Sequence, residues 1–256
     1  MNNKLTQLFQ DKNRNLLNVY CTAGFPKKES TTEVLLALQN NAVDMIEVGM
    51  PYSDPIADGP VIQQSNMIAI ENGMTIQVLF EQLHSVKNTI TVPLIMMGYL
   101  NPVLQYGLEK FCKDAAAVGI SGIILPDLPM YEYEEVYAPI FKRNNLSFIF
   151  LITPQTSEER IKKADKLSSG FLYAVSSSST TGTAVADEDK IIYFERISKM
   201  KLNNPIMIGF GINTKLTFET ACTYAAGAII GSAYIKALGE NNNINTSTTN
   251  FIQTIR

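Results

Sequence analysis

Short apolar runs recur along the chain, and longer amphipathic stretches separate them. Each run is continuous and does not alternate between apolar and polar positions, which is typical of strands buried on both faces of a parallel sheet. Eight such runs predict eight strands: Leu17–Thr22, Met45–Gly49, Leu94–Gly98, Gly122–Leu125, Ser147–Ile152, Phe171–Val175, Ile206–Gly209 and Ala228–Gly231.

The stretches between the strands have the periodicity of helices with one apolar face. In Thr31–Gln39, for example, Val34, Leu35 and Leu38 fall on one side. The other predicted helices are Val61–Glu71, Ile76–Lys87, Leu108–Ala117, Tyr131–Phe141, Ser157–Leu167, Thr214–Ala221, Ser232–Ala237 and Asn250–Ile255. A strand followed by a helix, repeated eight times without a change in composition, predicts an α/β protein: a single (β/α)₈ TIM-barrel domain over residues 1–256.

Four segments depart from this alternation. Lys4–Lys12 predicts an extra N-terminal helix that covers the bottom of the barrel. Pro51–Pro60 contains three prolines and a glycine, so we expect a loop there. Ser176–Thr183 is a tract of small polar residues after the sixth strand, and the polar run Glu240–Asn250 predicts a solvated connection to the last helix.

Composition excludes several classes of protein. The net charge is −3 and lysines and arginines do not cluster, which argues against a nucleic-acid-binding protein. No apolar run approaches the ~20 residues needed to span a membrane. The N-terminal segment Met1–Arg14 is polar, and the three cysteines are far apart without a C-x-x-C spacing. We therefore expect a cytoplasmic protein with reduced thiols.

Glu47 is the most informative polar residue, because it lies inside the apolar strand Met45–Gly49. A buried carboxylate is costly unless it is hydrogen-bonded or used, and burial raises its pKa toward the range of proton transfer at neutral pH. In this fold, active sites lie at the carboxyl ends of the strands. The position favours a catalytic group, and a hydrogen-bonded structural glutamate is the alternative.

Asp54 and Asp58 follow Glu47 in the loop Pro51–Pro60. An aspartate in such a loop usually forms a turn, and we prefer this interpretation for Asp54. Asp58 precedes Gly59 and a predicted helix, so it either caps that helix or takes part in catalysis. Spacing alone does not separate the two.

Glycine-bearing turns follow three late strands: Thr181–Thr183, Gly209–Asn213 and Gly231–Ala233. Glycine permits close approach of the backbone, and loops after the seventh and eighth strands commonly bind phosphate together with a short helix N-terminus. Ordinary tight turns are the alternative. The sequence predicts a phosphorylated ligand at this side of the barrel.

No metal-binding constellation is present in the sequence. The only histidine, His84, lies in a predicted outer helix, where we expect a surface residue. None of the predicted strands contains a lysine, which argues against Schiff-base chemistry. Acid/base catalysis by carboxylates on a phosphate-anchored substrate is the remaining option.

The segment Ile46–Gln63, with the sequence IEVGMPYSDPIADGPVIQ, closely resembles the signature of the tryptophan synthase alpha chain family. Further matches follow in order along nearly the whole chain, at Met97–Pro102, Gly122–Pro129, Tyr173, Thr181–Gly182, Gly209–Ile212 and Gly231–Ala233. The resemblance implies a cofactor-free lyase. In this family, a retro-aldol reaction cleaves indole-3-glycerol phosphate to indole and D-glyceraldehyde 3-phosphate, in the last steps of tryptophan biosynthesis.

The resemblance also implies residue roles. Glu47 matches the general acid/base, Asp58 matches the carboxylate that holds the indole N–H, and Tyr173 matches a tyrosine beside them. Thr181 belongs to a lid formed by Ser176–Thr183. The matched phosphate-binding residues are Gly182, Phe210, Gly211, Gly231 and Ser232. Residues expected to line the indole pocket are Tyr20, Ile62, Tyr99 and Leu125.

Relatives dock on a beta-subunit dimer that carries pyridoxal phosphate, so the resemblance implies an α₂β₂ tetramer. The expected contact surfaces are Pro51–Pro60, Asn101-Pro102 and Pro126–Pro129. Ser177-Ser178-Ser179 departs from the basic residue and glycine of many relatives, which affects lid contacts. A stand-alone indole-releasing lyase, a non-catalytic allosteric partner and another phosphate-binding barrel such as a phosphosugar isomerase are the alternatives.

Overall fold

The computed structural model describes residues 3–175, 187–209, 211–240 and 243–256. Within these ranges nine parallel strands form one sheet, in the order β5-β4-β3-β2-β1-β9-β8-β7-β6. The strands are β1 (Leu16–Thr22), β2 (Met45–Gly49), β3 (Leu94–Met97), β4 (Ile120–Ile124), β5 (Ser147–Phe148), β6 (Leu151–Ile152), β7 (Leu172–Val175), β8 (Ile206–Gly209) and β9 (Gly227–Ile230). Apolar side chains on both faces explain their continuous apolar runs.

The sheet closes through the segment 147–152. Its first half, β5, pairs with β4, and its second half, β6, pairs with β7. The Ile149 amide donates to the Ile123 carbonyl at 3.1 Å, and the Tyr173 amide donates to the Phe150 carbonyl at 3.0 Å. The predicted fifth strand is therefore divided in two, because the chain changes its pairing partner halfway along. The predicted (β/α)₈ barrel is confirmed.

The helices surround the barrel. They are α1 (Lys4–Asp11), α2 (Ser30–Asn40), α3 (Pro60–Glu71), α4 (Ile76–Val86), α5 (Leu100–Tyr106), α6 (Leu108–Ala117), α7 (Met130–Glu132), α8 (Ala138–Arg143), α9 (Glu158–Leu167), α10 (Asp187–Lys199), α11 (Lys215–Tyr224), α12 (Ser232–Gly239) and α13 (Ile244–Gln253). A π-helical turn, Tyr133–Tyr137, joins α7 to α8 ahead of Pro139, which cannot donate a backbone hydrogen bond. No helix in the described ranges is long and apolar enough to cross a bilayer.

The extra N-terminal helix is confirmed and lies at the bottom of the barrel. Leu5 of α1 is fully buried and contacts the backbone at Gly122 and Gly170. The Asn3 side-chain amide donates to the Ser121 carbonyl at 2.9 Å and so fastens the start of α1 beside β4.

The end of the chain differs from the prediction. The helix was expected at Asn250–Ile255 after a solvated connection, but α13 already begins at Ile244. Its buried side chains include Ser247 and Thr248, and the Thr248 hydroxyl lies 2.8 Å from that of Tyr234. Small polar residues on the buried face hid the apolar periodicity, so this expectation was wrong. The helices α5 and α10 were also not predicted.

Candidate active site

Glu47 lies in β2 beside Tyr20 of β1 and is 1% exposed. Its Oε2 atom accepts a hydrogen bond from Asn18 Nδ2 at 3.1 Å, whereas Oε1 has no partner among the described residues. Burial raises the pKa of Glu47 to about 8; the Asn18 hydrogen bond lowers it and the charge of Asp58 raises it. The carboxyl group is therefore mostly protonated at neutral pH.

Asp58 reaches the same region from the loop before α3. It is 5% exposed, and its Oδ2 atom accepts a hydrogen bond from the Tyr99 hydroxyl at 3.1 Å. Burial raises its pKa to about 6, although the hydrogen bond from Tyr99 lowers it. Gly59 is the N-cap residue of α3, with Pro60 behind it in the first turn. Asp58 is thus not the helix cap, and its carboxylate faces the barrel.

A cavity of about 250 Å³ opens at the carboxyl ends of the strands. It is lined by Tyr20, Glu47, Asp58, Ile62, Met97, Tyr173, Gly211, Ile212, Asn213, Ile229, Gly231, Ser232, Ala233 and Lys236. The structure therefore brings two predicted carboxylates, two predicted tyrosines, Ile62 and six residues of the predicted glycine-bearing turns together around one space.

Two strand glycines make room for the cavity's tyrosines. A Cβ atom at Gly49 would lie 2.0 Å from the Tyr20 hydroxyl, and one at Gly209 would lie 2.5 Å from the Tyr173 hydroxyl. Burial raises the pKa of both tyrosines well above the ordinary value, so both hydroxyls stay neutral beside Glu47. Any side chain at either glycine would displace a wall of the cavity.

The other end of the cavity is suited to an anion. Gly211 has a φ of 80°, a left-handed conformation that favours glycine. Gly231 is the N-cap of α12 and offers no side chain to the first free amides of that helix. Those amides and the positive end of the helix dipole attract an anion, and Lys236, one turn farther along α12, adds a positive charge at the rim.

Several predicted site residues lie elsewhere. Tyr99 and Leu125 are not among the described residues that line the cavity. The Tyr99 hydroxyl is occupied by Asp58 and by the Ala57 amide at 2.9 Å, and Leu125 is buried in the core. Thr181, Gly182, Phe210 and the rest of the Ser176–Thr183 lid fall outside the described residues.

The sequence analysis did not identify some residues that line the cavity, nor Asn18, which contacts Glu47 from behind the cavity wall. Asn18 carried a usable signal, because it is a polar residue in an apolar strand, as Glu47 is. Lys236 carried a weaker one, since it follows Ser232 by one helical turn. Met97 and Ile229 are apolar strand residues without a chemical signature. Ile212, Asn213 and Ala233 lie within the predicted glycine-bearing turns, although none of them was singled out.

The remaining candidates have structural environments. Asp54 is exposed, and its backbone carbonyl accepts a hydrogen bond from the Ile56 amide at 2.9 Å, within a turn. His84 is exposed on α4. The three cysteines are not in disulfides. Among the described residues, no group of three or more histidine, cysteine, aspartate or glutamate side chains could hold a metal ion.

Together these features define a (β/α)₈ barrel whose cavity carries two buried carboxyl groups and an amide-rich end. The family model of the tryptophan synthase alpha chain matches residues 6–255. The chain belongs to this family. It is 51% identical over 240 residues to the tryptophan synthase alpha chain of Flavobacterium psychrophilum, an alignment that covers 93% of this chain and 94% of that protein.

Other relatives agree. The chain is 48% identical over 242 residues to the alpha chain of Bacteroides fragilis, covering 94% of this chain and 92% of that protein. Among solved structures, the alpha chain from Legionella pneumophila has a TM-score of 0.89 at 28% identity, with 100% of this chain and 96% of that chain covered. A mutant alpha subunit from Pyrococcus furiosus has a TM-score of 0.86 at 31% identity, with 95% and 98% covered.

Proposed function

We propose that this chain cleaves indole-3-glycerol phosphate to indole and glyceraldehyde 3-phosphate, as the alpha subunit of tryptophan synthase. The observation that carries the proposal is one apolar cavity with two carboxyl groups of different pKa, about 8 for Glu47 and about 6 for Asp58, and free helix amides at its other end. The indole ring, the glycerol carbon bonded to it and the phosphate each have a matching environment in this cavity.

Glu47 supplies the proton transfers. As an acid it protonates C3 of the indole ring, and as the resulting carboxylate it takes the proton of the glycerol hydroxyl next to the ring. The bond between C3 and the glycerol carbon then breaks, its electron pair returns to the ring, and Glu47 is again protonated. Proton transfer by a positioned side chain accounts for this chemistry without a cofactor.

Asp58 supplies charge stabilisation. Protonation of C3 places a positive charge on the indole nitrogen, and an ionised Asp58 that accepts the N–H hydrogen bond stabilises that charge. Activity therefore requires a protonated Glu47 and an ionised Asp58. The two pKa values predict a pH profile that rises near about 6 and falls near about 8. Tyr173 lies beside both groups.

The amide-rich end anchors the phosphate. Gly211, Gly231 and Ser232 offer backbone N–H groups, and Lys236 contributes charge at the rim. Anchoring at this end orients the scissile bond toward Glu47. Gly182 and Phe210 as phosphate ligands, and Thr181 as part of a lid that closes over the substrate, stay predictions from the family resemblance.

We further propose that the chain binds a tryptophan synthase beta chain, which carries the pyridoxal phosphate, in an α₂β₂ tetramer. Apolar side chains are exposed on or beside the expected contact segments, which supports an interface with a beta chain. Ile56 in the loop Pro51–Pro60 is 77% exposed, Leu104 in α5 is 48% exposed and Tyr131 in α7 is 69% exposed. The three segments adjoin, because the Ala57 amide donates to the Tyr99 hydroxyl at 2.9 Å and the Leu100 amide donates to Asp127 at 3.0 Å. Exposed apolar groups on adjoining segments favour a protein contact.

The test measures indole release from indole-3-glycerol phosphate by the purified chain, alone and with a beta chain. Glu47→Gln should lower kcat about 10²–10⁴-fold, because the amide cannot transfer the proton. Glu109→Gln is the matched control, since Glu109 is an exposed carboxylate paired with Arg143 at 2.6 Å. An unchanged rate in Glu47→Gln would falsify the catalytic assignment. A wild-type chain that activates the beta chain but releases no indole is an allosteric partner.

A further inference from the structure

Asn18 is an unusual residue for its position. All seven residues of β1 are buried, and Asn18 is 0% exposed among leucine, valine, tyrosine and cysteine neighbours. Alternate residues of a strand share a face, so Asn18 points to the same side as Tyr20, which lines the cavity. Burying a side-chain amide costs free energy unless hydrogen bonds offset it. An apolar residue would fill this place at lower cost.

The hydrogen bonds of Asn18 concern one group. Its Nδ2 atom donates to Glu47 Oε2 at 3.1 Å. Its Oδ1 atom and Glu47 Oε1 both lack a hydrogen-bond partner among the described residues. Asn18 Oδ1 and Glu47 Oε1, the two atoms without partners, therefore belong to two side chains that are already joined by a hydrogen bond.

An amide can serve both protonation states of a carboxyl group, because it carries N–H donors and a carbonyl acceptor. When Glu47 is ionised, Asn18 Nδ2 donates to the carboxylate. When Glu47 is protonated, rotation of the amide presents Oδ1 as an acceptor for the O–H group. A serine or threonine hydroxyl is smaller, and a lysine would only donate.

We propose that Asn18 is a positioning residue for Glu47, which holds the carboxyl group toward the cavity in both states of its proton-transfer cycle. The inference rests on the proposed function, because it gives Asn18 a part in the same reaction. Asn18 acts through Glu47 and does not line the cavity itself.

Nothing else in the described residues replaces this contact. The titratable groups that interact electrostatically with Glu47 are Tyr20 and Cys21 on β1, Asp58 before α3 and Tyr173 on β7. All of these groups are either neutral or negatively charged, so none places a positive charge beside Glu47. Lys236 lines the cavity but forms no described ion pair with Glu47. Asn18 is the one hydrogen-bond donor to Glu47 within the described ranges.

The experiment replaces Asn18 by leucine, which has a similar length and no polar atoms. Loss of a charge-assisted hydrogen bond destabilises the carboxylate, so the alkaline limb of the kcat profile should move upward by about one pH unit from about 8. The acidic limb near about 6, which belongs to Asp58, should stay in place. We expect kcat to fall about tenfold or more, with KM within about twofold.

A second measurement does not depend on activity. In protein labelled with ¹³C at the glutamate carboxyl carbons, the Glu47 resonance is the one that Glu47→Gln removes, and its titration gives the pKa directly. The same upward shift is expected in Asn18→Leu. Asn18→Asp, which keeps the shape of asparagine, should shift it upward too, because a second acid beside Glu47 disfavours its ionisation. This variant also covers the case in which the leucine variant does not fold.

Asn66→Leu is the matched control. Asn66 on α3 is 2% exposed, its Oδ1 atom has no partner among the described residues, and it does not line the cavity. Its replacement should leave the Glu47 titration unchanged. A Glu47 resonance that titrates at the same pH in folded Asn18 variants and wild type overturns the inference. A wild-type chain without indole release would instead contradict the proposed function, and the titration still decides the role of Asn18.

Discussion

Two buried carboxyl groups at opposite ends of the barrel have different environments. Asp165 of α9 is 4% exposed and accepts hydrogen bonds from the backbone amides of Asn203 and Asn204, at 2.8 and 2.9 Å, and from both of their side chains. Glu47 is 1% exposed and accepts one. Equal burial thus accompanies opposite degrees of hydrogen bonding.

Charge pairing follows the same division. At the bottom, Asp44 forms ion pairs with Lys12 and Arg256 and accepts the Leu17 amide at 2.8 Å. At the mouth, neither Glu47 nor Asp58 forms a described ion pair. Asp44 and Asp165, at the bottom, find their hydrogen-bond and ion-pair partners within the chain, and these contacts stabilise the fold. At the mouth, Glu47 Oε1 has no hydrogen-bond partner among the described residues, which costs stability and suits this carboxyl group to meet a ligand.

Between matched aspartates at the two ends, the largest difference should come from Asp58→Asn. Asparagine keeps the size and can still accept a hydrogen bond, but it removes the negative charge that we propose stabilises the cationic ring. We expect kcat/KM for indole release to fall about 10²–10³-fold.

The comparison variant is Asp165→Asn, assayed per folded molecule. It removes a carboxylate of similar burial at the other end and should leave kcat/KM within about twofold, since Asp165 does not line the cavity. Equal losses of activity in the two variants would show that the division between the ends is wrong.

The sequence was sufficient to predict the barrel and to single out the most deeply buried carboxyl group of its cavity. Continuous apolar runs identify the strands, and a glutamate within such a run stands out, so Glu47 was found from its neighbours alone. Family resemblance then implied the role of Asp58. Asn18 presented the same local pattern as Glu47, but an uncharged amide in a strand costs less to bury and is less informative.

The rest depended on contacts between distant segments. Tyr99 follows Asp58 by 41 residues, and only the fold shows that its hydroxyl holds that carboxylate and is not free to line the pocket. Lys236 becomes a site residue only because α12 starts at the cavity. The last helix was misplaced because Ser247 and Thr248 face the core. In each case, contacts between residues far apart in the sequence determine the position or role of the residue, and local sequence patterns do not reveal those contacts.

Stability should respond in opposite directions at the two ends. Asp165→Ala should lower the free energy of unfolding by about 3 kcal/mol, because it leaves the amides of Asn203 and Asn204 without their acceptor.

Glu47→Gln should instead raise the free energy of unfolding at alkaline pH. The pKa of Glu47 rises from 4.5 to about 8 on folding, so the folded chain binds the proton more tightly than the unfolded chain.

The sign follows from linkage. The contribution of Glu47 to the free energy of unfolding falls as pH rises from about 4.5 to about 8, and glutamine cannot ionise. We expect Glu47→Gln to exceed wild type by roughly 4–5 kcal/mol at pH ~9 and by less than about 1 kcal/mol at pH ~5. Urea unfolding at both pH values gives the difference. A gain of the same size at pH ~5 would show that the effect is not ionisation of Glu47.

The smallest effect should come from Lys236→Met, which removes the rim charge but keeps an unbranched apolar chain of similar length. Lys236 is exposed, so its charge is screened by solvent and its contribution to binding the phosphate is modest. KM for indole-3-glycerol phosphate should rise about three- to tenfold with little change in kcat, and the difference from wild type should shrink as salt is added. Lys162→Met, an exposed lysine on α9 away from the cavity, should change neither constant. A salt-independent rise in KM would mean that Lys236 shapes the N-terminal turn of α12 and not the local field, and the anion-binding character of the mouth would then rest on backbone amides alone.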